Sequence, residues 1–174
     1  MNRVIAKSAN KNFLKKEKAR KYIMGLDWYV VKVRKDAKRP LDWSDVTGKL
    51  YYARRPYALV SYLRGSYDDY FSPVNEKDWN SLMEIIGKLF EKYDSENLYS
   101  ALYAYEYDDL DLLTDSQKEM VAYYSRWYNK YFDAAPYFGY GHSILVLEDL
   151  RKLNPEVQKI FADPDVDLYQ VVDY

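Results

Sequence analysis

Hydrophobic positions along the chain fall into runs with different periods. From Leu26 to Val33, Leu26, Trp28 and Val30 alternate with Asp27, Tyr29 and Val31. These β-branched and aromatic types suit a pleated, half-buried surface, so a strand is predicted there. A polar stretch from Arg34 to Lys49, holding Pro40, Gly48 and the large aromatic Trp43, reads as a long loop or a turn with a short element. A helix is predicted from near Arg55, with Pro56 in its first turn and Gly65 as a left-handed terminator.

The clearest helical period lies between Glu76 and Tyr93. There Trp79, Leu82, Met83, Ile86, Leu89, Phe90 and Tyr93 recur at three-four spacing, and Asn75 is placed to cap. A second helix follows Asp94 and Ser95, with Leu98, Leu102 and Tyr105 on one side and Tyr99, Tyr103 and Tyr107 on another. The pair reads as a helical hairpin. After an acidic linker, Glu106 to Asp111, Thr114 and Gln117 have capping-box spacing and open a helix to about Phe132. A buried helix starts at His142 or Ser143 and runs to Leu153, where Asn154 and Pro155 stop it and begin a short one. The tail Val166 to Val172 is β-branched and placed to pair with the first strand. Two strands alone are marginal, so the sheet calls for helical cover or for part of residues 41 to 53.

The predicted fold is therefore α+β: a predominantly helical single domain over residues 24 to 174, with a small sheet and a basic N-terminal arm or helix over residues 1 to 23. A chain of 174 residues can bury a core without staples. With no cysteine it has neither disulfides nor thiolate chemistry, which fits a reducing compartment. No apolar run is long enough to span a bilayer and no secretory leader is evident. The expected location is the cytoplasm, the host's if the protein is viral.

Charge changes the picture. Residues 1 to 66 hold 17 Lys and Arg against 5 Asp and Glu, and residues 67 to 174 hold 9 against 22. A split of this kind marks a surface for nucleic acid or a charged partner, or is satisfied within or between copies of the chain. The positive side includes Lys15, Lys16, Lys18, Arg20 and Lys21 in the arm, Lys32, Arg34, Lys35, Lys38 and Arg39 around the first strand's exit, and Arg54 and Arg55 at a helix entrance. Converging on one face, they would contact phosphates while Trp43, Tyr51 or Tyr52 stacked on unpaired bases. On the negative side, Glu106, Asp108, Asp109 and Asp111 with Tyr103 and Tyr107 form a surface suited to a basic partner. The 21 tyrosines supply amphipathic residues for the core margin and for recognition.

Catalytic sets are sparse. His142 is the only histidine, beside Gly139-Tyr140-Gly141 at a helix start, and is the weak candidate for acid–base chemistry. A turn whose glycines permit tight geometry and in which His142 or Ser143 caps the helix accounts for it better. There is no phosphate-binding glycine loop with its lysine and no nucleophile elbow. The carboxylates at Asp68 and Asp69, and at Asp108 to Asp111, lack the glycine and terminal glutamate of a calcium loop. Neither a metal nor a cofactor is expected, and no small-molecule substrate is identified.

The run Met24-Gly25-Leu26-Asp27-Trp28-Tyr29 resembles the Met-Gly-Leu-Asp-aromatic-Tyr opening of small uncharacterised proteins of bacteriophages and bacteria. Tyr51-Tyr52-Ala53-Arg54-Arg55 before a helix and Gly139-Tyr140 before a leucine-rich one are similar too. The chain departs from that pattern in its 23-residue basic extension and in lacking a polar centre in the helix near Arg55. The resemblance implies a mixed α and β fold and a viral origin, and carries no established activity.

The reading that follows is a non-enzymatic interaction protein of viral or mobile-element origin, binding a protein partner or a second copy through charged, tyrosine-rich surfaces. Nucleic-acid binding by the basic third and an enzyme centred on His142 are the alternatives.

Overall fold

The computed structural model describes residues 26–54, 56–65, 70–107, 110–132 and 140–173. The basic residues of the arm, together with Arg55, Asp108 and Asp109, lie outside them. Four strands form one antiparallel sheet: β1 (Asp27–Arg34), β2 (Val46–Arg54), β3 (Phe71–Pro73) and β4 (Val166–Asp173), in the order β2-β1-β4-β3. Five α-helices are present among the described residues: α1 (Tyr57–Tyr62), α2 (Glu76–Lys92), α3 (Ser95–Tyr107), α4 (Asp115–Tyr131) and α5 (Tyr140–Phe161). The α+β, helix-dominated prediction holds. No helix among the described residues is long and apolar enough to cross a membrane.

Alternation along β1 produces two layers. Trp28 and Val30 face the helices, joining Ala53 of β2, Leu168 and Val172 of β4, and the buried faces of the helices in the main core. Val31 and Val33 face the other way, with Tyr169 and Val171 of β4. The chain between β1 and β2 folds back over this outer face and lays Ala37, Leu41 and Trp43 on it. A 3-10 turn at Trp43–Asp45, capped by Asp42, then leads directly into β2. The stretch read as loop to Lys49 therefore ends four residues earlier, and β2 carries register shifts opposite Val30/Val31 and Lys32/Val33. Such bulges blur the strict alternation by which a strand is recognised. β3 is only three residues long, too short for any period to show.

Helix boundaries follow local chemistry. Asn75 Oδ1 accepts from the Asp78 amide at 2.8 Å, starting α2. The Thr114–Gln117 capping box is reciprocal, at 3.1 and 2.9 Å, and starts α4. Gly65 behaves differently from expectation: the left-handed residue is Arg64, at φ 56°, and Gly65 is needed for space. A Cβ there would overlap the Gln170 carboxamide, which packs beneath α1.

Two expectations are corrected. Asn154 and Pro155 do not divide the last helical segment, because α5 runs unbroken from Tyr140 through Pro155 to Phe161. Proline removes one helical hydrogen bond, but buried Val157 and Ile160 hold the following turns to the core. Asn154 accepts from Trp79 Nε1 at 2.8 Å and from Gln158 Nε2 at 3.0 Å, which anchors the helix just before the proline. Nor do α2 and α3 form a hairpin packed chiefly on itself. Each packs on α5, and α3 also packs on α4. Gly141 of α5 faces the α3 backbone at Tyr103, where a Cβ would meet the amide nitrogen at 3.4 Å, an ordinary contact.

One buried hydroxyl has no hydrogen-bond partner among the described residues, Ser72 on the helix-facing side of β3. Ser72→Ala is expected to leave stability unchanged or raise it by up to about 1 kcal/mol, because it removes an unsatisfied buried group. A denaturant midpoint that falls by more than about 1 kcal/mol equivalent would show that the hydroxyl is bonded in solution.

Candidate functional sites

His142 lies within the first turn of α5 and is exposed, since the helix begins two residues earlier than expected. Ser143 is buried and does not cap the helix; its hydroxyl bonds the Tyr124 phenol in the core. The nearby cavity, about 20 Å³ and lined by Pro56, Leu59, Tyr128, Phe132, Ser143 and Leu147 among others, holds no more than one water. His142 does not line it. No group of three potential metal ligands occurs among the described residues.

The basic residues around the sheet are divided by their partners. Arg34 pairs with Asp45 at 3.5 Å, Lys35 with Asp167 at 3.9 Å and Arg54 with Asp27 at 3.4 Å. These carboxylates belong to the sheet layer itself, not to the acidic helices. Lys32 faces the helix side of β1 and lies against Gly48 of β2. Lys38, Arg39 and Lys49 have no carboxylate within ion-pair distance among the described residues. Arg39 Nη2 instead donates to the Tyr169 phenol at 3.1 Å with its guanidinium over that ring, and Lys49 Nζ lies 5.1 Å from the Tyr29 ring centroid and 4.6 Å from that of Trp43.

Strand alternation separates the two tyrosines grouped as stacking residues. Tyr51 turns toward the helices, where its hydroxyl donates to Asp149 of α5 at 3.2 Å. Tyr52 stays on the outer face, tilted against Tyr29 with centroids 5.0 Å apart. Tyr29 meets Trp43 edge-on at 5.2 Å, and Trp43 meets Phe71 and Tyr70 the same way at 5.9 and 6.4 Å. Trp43 Nε1 donates to the Tyr70 hydroxyl at 2.7 Å. A continuous aromatic surface thus crosses the sheet, with Tyr52 48% exposed at one side and Tyr70 40% at the other. Loss of hydration raises the Tyr29 and Tyr52 pKa values, helped by the negative charge of Asp27, whose carboxylate also accepts from the Tyr52 hydroxyl at 2.9 Å. Both phenols therefore stay protonated, as donors, above the usual tyrosine range.

The second surface is on α3. Tyr99, Tyr103 and Tyr107 recur every four residues and form a ladder with centroids 5.9 and 4.6 Å apart. Tyr103 is 49% exposed and Tyr107 67%, and Leu112 beyond the helix is 77% exposed. From Asp94 to Gln117 the sequence holds seven acidic residues and no Lys or Arg. Glu106 lies in the last turn of α3, and Asp111 is exposed in the 3-10 turn Leu110–Leu112 that follows. At the start of α3, bonds from the Asn97 amide and side chain hold the Asp94 carboxyl below its usual range, so it stays ionised.

Of the expected partner-binding residues, Tyr103 and Tyr107 are in ring contact, Glu106 shares the last turn of α3 and Asp111 lies in the turn that follows, whereas Asp108 and Asp109 lie outside the described residues. The expected phosphate-contacting set is not: Lys32 turns to the helix side, and Arg34, Lys35 and Arg54 are taken up by neighbouring carboxylates. Tyr70 and Phe71 were missed, for β3 carries no period that could reveal which way they point. Compared with protein-family models, with curated proteins and with solved structures, the chain matches none.

Proposed function

We propose that the protein is a non-enzymatic interaction protein whose α3 ridge docks a basic segment of a protein partner. One observation carries this reading: exposed tyrosines, stacked into a ladder, lie within a 24-residue stretch of purely acidic charge. Tyrosine offers a large amphipathic contact area at low entropic cost, and is enriched among the residues that dominate interface energies. Acidic charge around it speeds association with a basic surface and disfavours acidic ones.

The test is recovery of stoichiometric partners from the native cell by the full chain and by a Tyr103→Ser/Tyr107→Ser variant. Both positions are exposed, so the fold should be unaffected, within about 0.5 kcal/mol. A partner with a basic docking segment is expected to bind the variant about tenfold or more weakly, since truncating such tyrosines removes roughly 1 to 2 kcal/mol each. Equal recovery by both proteins, or no stoichiometric partner for either, would refute the proposal.

A further inference from the structure

We infer that the outer face of the sheet is a separate site for single-stranded nucleic acid, bases stacking on Tyr52 and Tyr70 and phosphates meeting Lys38, Arg39 and Lys49. The inference does not depend on the α3 reading, because it uses the opposite layer of the molecule.

Three observations converge on it. The first is the floor: Tyr29, Trp43 and Phe71 interlock edge to face and are themselves half-buried, so they hold the exposed Tyr52 and Tyr70 rings on a rigid base. Tyr52 lies on edge strand β2, and Tyr70 precedes edge strand β3. Three strand spacings separate those edges, roughly 14 Å. In RNA-recognition modules, the aromatics of a four-stranded sheet stack two or three unpaired bases.

The second observation is charge. The carboxylates of this layer are largely neutralised from within, Asp27 by Arg54, Asp45 by Arg34 and Asp167 by Lys35. Asp42 is committed to capping the turn, where it accepts from the Ser44 amide at 2.7 Å. Asp36 and Asp173 have no ion pair among the described residues; Asp36 lies just past the end of β1, and Asp173, at the end of β4, is near enough to Tyr29 to help raise its pKa. Lys38, Arg39 and Lys49 are exposed and meet no carboxylate within ion-pair distance among the described residues, which leaves three cations on this layer to meet phosphates. The third is the chemistry of Lys49, whose ammonium already rests against two aromatic faces and so is placed to reach a phosphate whose base stacks beside it. Stacking on protein rings requires bases free of a duplex, which selects single strands.

The experiment is fluorescence anisotropy of the full chain with labelled oligo(dT) and oligo(rU) of about 20 nucleotides, a length that covers one site. Salt-sensitive binding is expected, at least tenfold tighter than to a duplex of equal length. Tyr52→Ala and Tyr70→Ala should each weaken it about fivefold or more, while Tyr52→Phe, which keeps the stack, should bind as the parent does. Lys38→Gln/Arg39→Gln/Lys49→Gln should reduce the slope of log affinity against log salt by about 2, as expected for three lost phosphate contacts. Tyr103→Ser/Tyr107→Ser should change nothing, which separates this site from the α3 ridge. Absence of binding at low salt, equal affinity for duplex, or full affinity in both alanine variants would overturn the inference. In the last case binding would be electrostatic alone.

Discussion

Replacing Trp79 with alanine is expected to lower the unfolding free energy by about 3 to 5 kcal/mol, the usual range for a buried tryptophan. The indole is fully buried where α2 meets α5, and its Nε1 donates to Asn154. Two losses combine: a cavity between helices that cannot close on it completely, and an Asn154 oxygen left with Gln158 Nε2 as its donor. Asn154 immediately precedes Pro155, so the same bond fixes α5 at the turn where its own ladder is interrupted. Trp79→Phe separates the terms, since it keeps most of the volume and removes the donor; a loss of about 1 to 2 kcal/mol is expected. Urea denaturation of both variants checks this. A Trp79→Ala loss below about 1 kcal/mol would mean that the α2–α5 interface is not part of the cooperative core.

The second large effect is expected at Gln170, a fully buried amide in the central strand β4. Its oxygen accepts from Trp28 Nε1 at 3.0 Å, and its nitrogen donates to the carbonyls of Val60 and Leu63 at 3.3 and 3.4 Å. One side chain thereby joins β1, β4 and the C-terminal end of α1. Gln170→Leu keeps the volume but can neither accept nor donate. The Trp28 indole N–H and the Leu63 carbonyl lose this partner, whereas the Val60 carbonyl still receives the Gly65 amide at 2.9 Å. The expected cost is about 2 to 4 kcal/mol, moderated by the length of the two donated bonds. In a Trp28→Phe/Gln170→Leu double variant the orphaned donor disappears, so the combined loss should be smaller than the sum of the single ones. Strict additivity in a double-mutant cycle would show that the two side chains are not coupled.

The two proposed binding surfaces and the residues that carry these stability effects occupy different parts of this molecule. Gln170 and Trp79 lie in the core, whereas the rings of the two proposed surfaces point away from it. Variants at Tyr103, Tyr107, Tyr52 and Tyr70 can therefore alter binding without unfolding the chain.

Much of the fold was legible in short-range pattern. The three-four spacing from Trp79 to Leu89, the reciprocal Thr114–Gln117 cap and the alternation around Trp28 and Val30 each depend on neighbours within four residues, and each is present as expected. The tyrosine ladder of α3 was legible for the same reason, because helical geometry brings residues four apart into contact. Where tertiary contacts overrule local preference, the pattern failed. Pro155 reads as a helix break, yet Asn154, Val157 and Ile160 are held by packing that no local window contains. Gly65 reads as a terminator, and its role is instead clearance for a side chain 105 positions away. Tyr51 and Tyr52 read as equivalent, until the pleat sends one to Asp149 and the other to the outer face.

The charge division shows the same boundary between the two kinds of information. Composition alone establishes that positive residues concentrate before position 66 and negative ones after it, and that residues 94 to 117 carry no cation. These are properties of order along the chain, independent of folding. Which cations stay available was decided only in three dimensions, when strand register set Asp27, Asp45 and Asp167 beside Arg54, Arg34 and Lys35 and left Lys38, Arg39 and Lys49 without a carboxylate in ion-pair range among the described residues. Charge is a sum over residues and can be read from a list. Neutralisation depends on distances of a few ångströms between residues far apart in sequence, and those distances exist only once the sheet has formed.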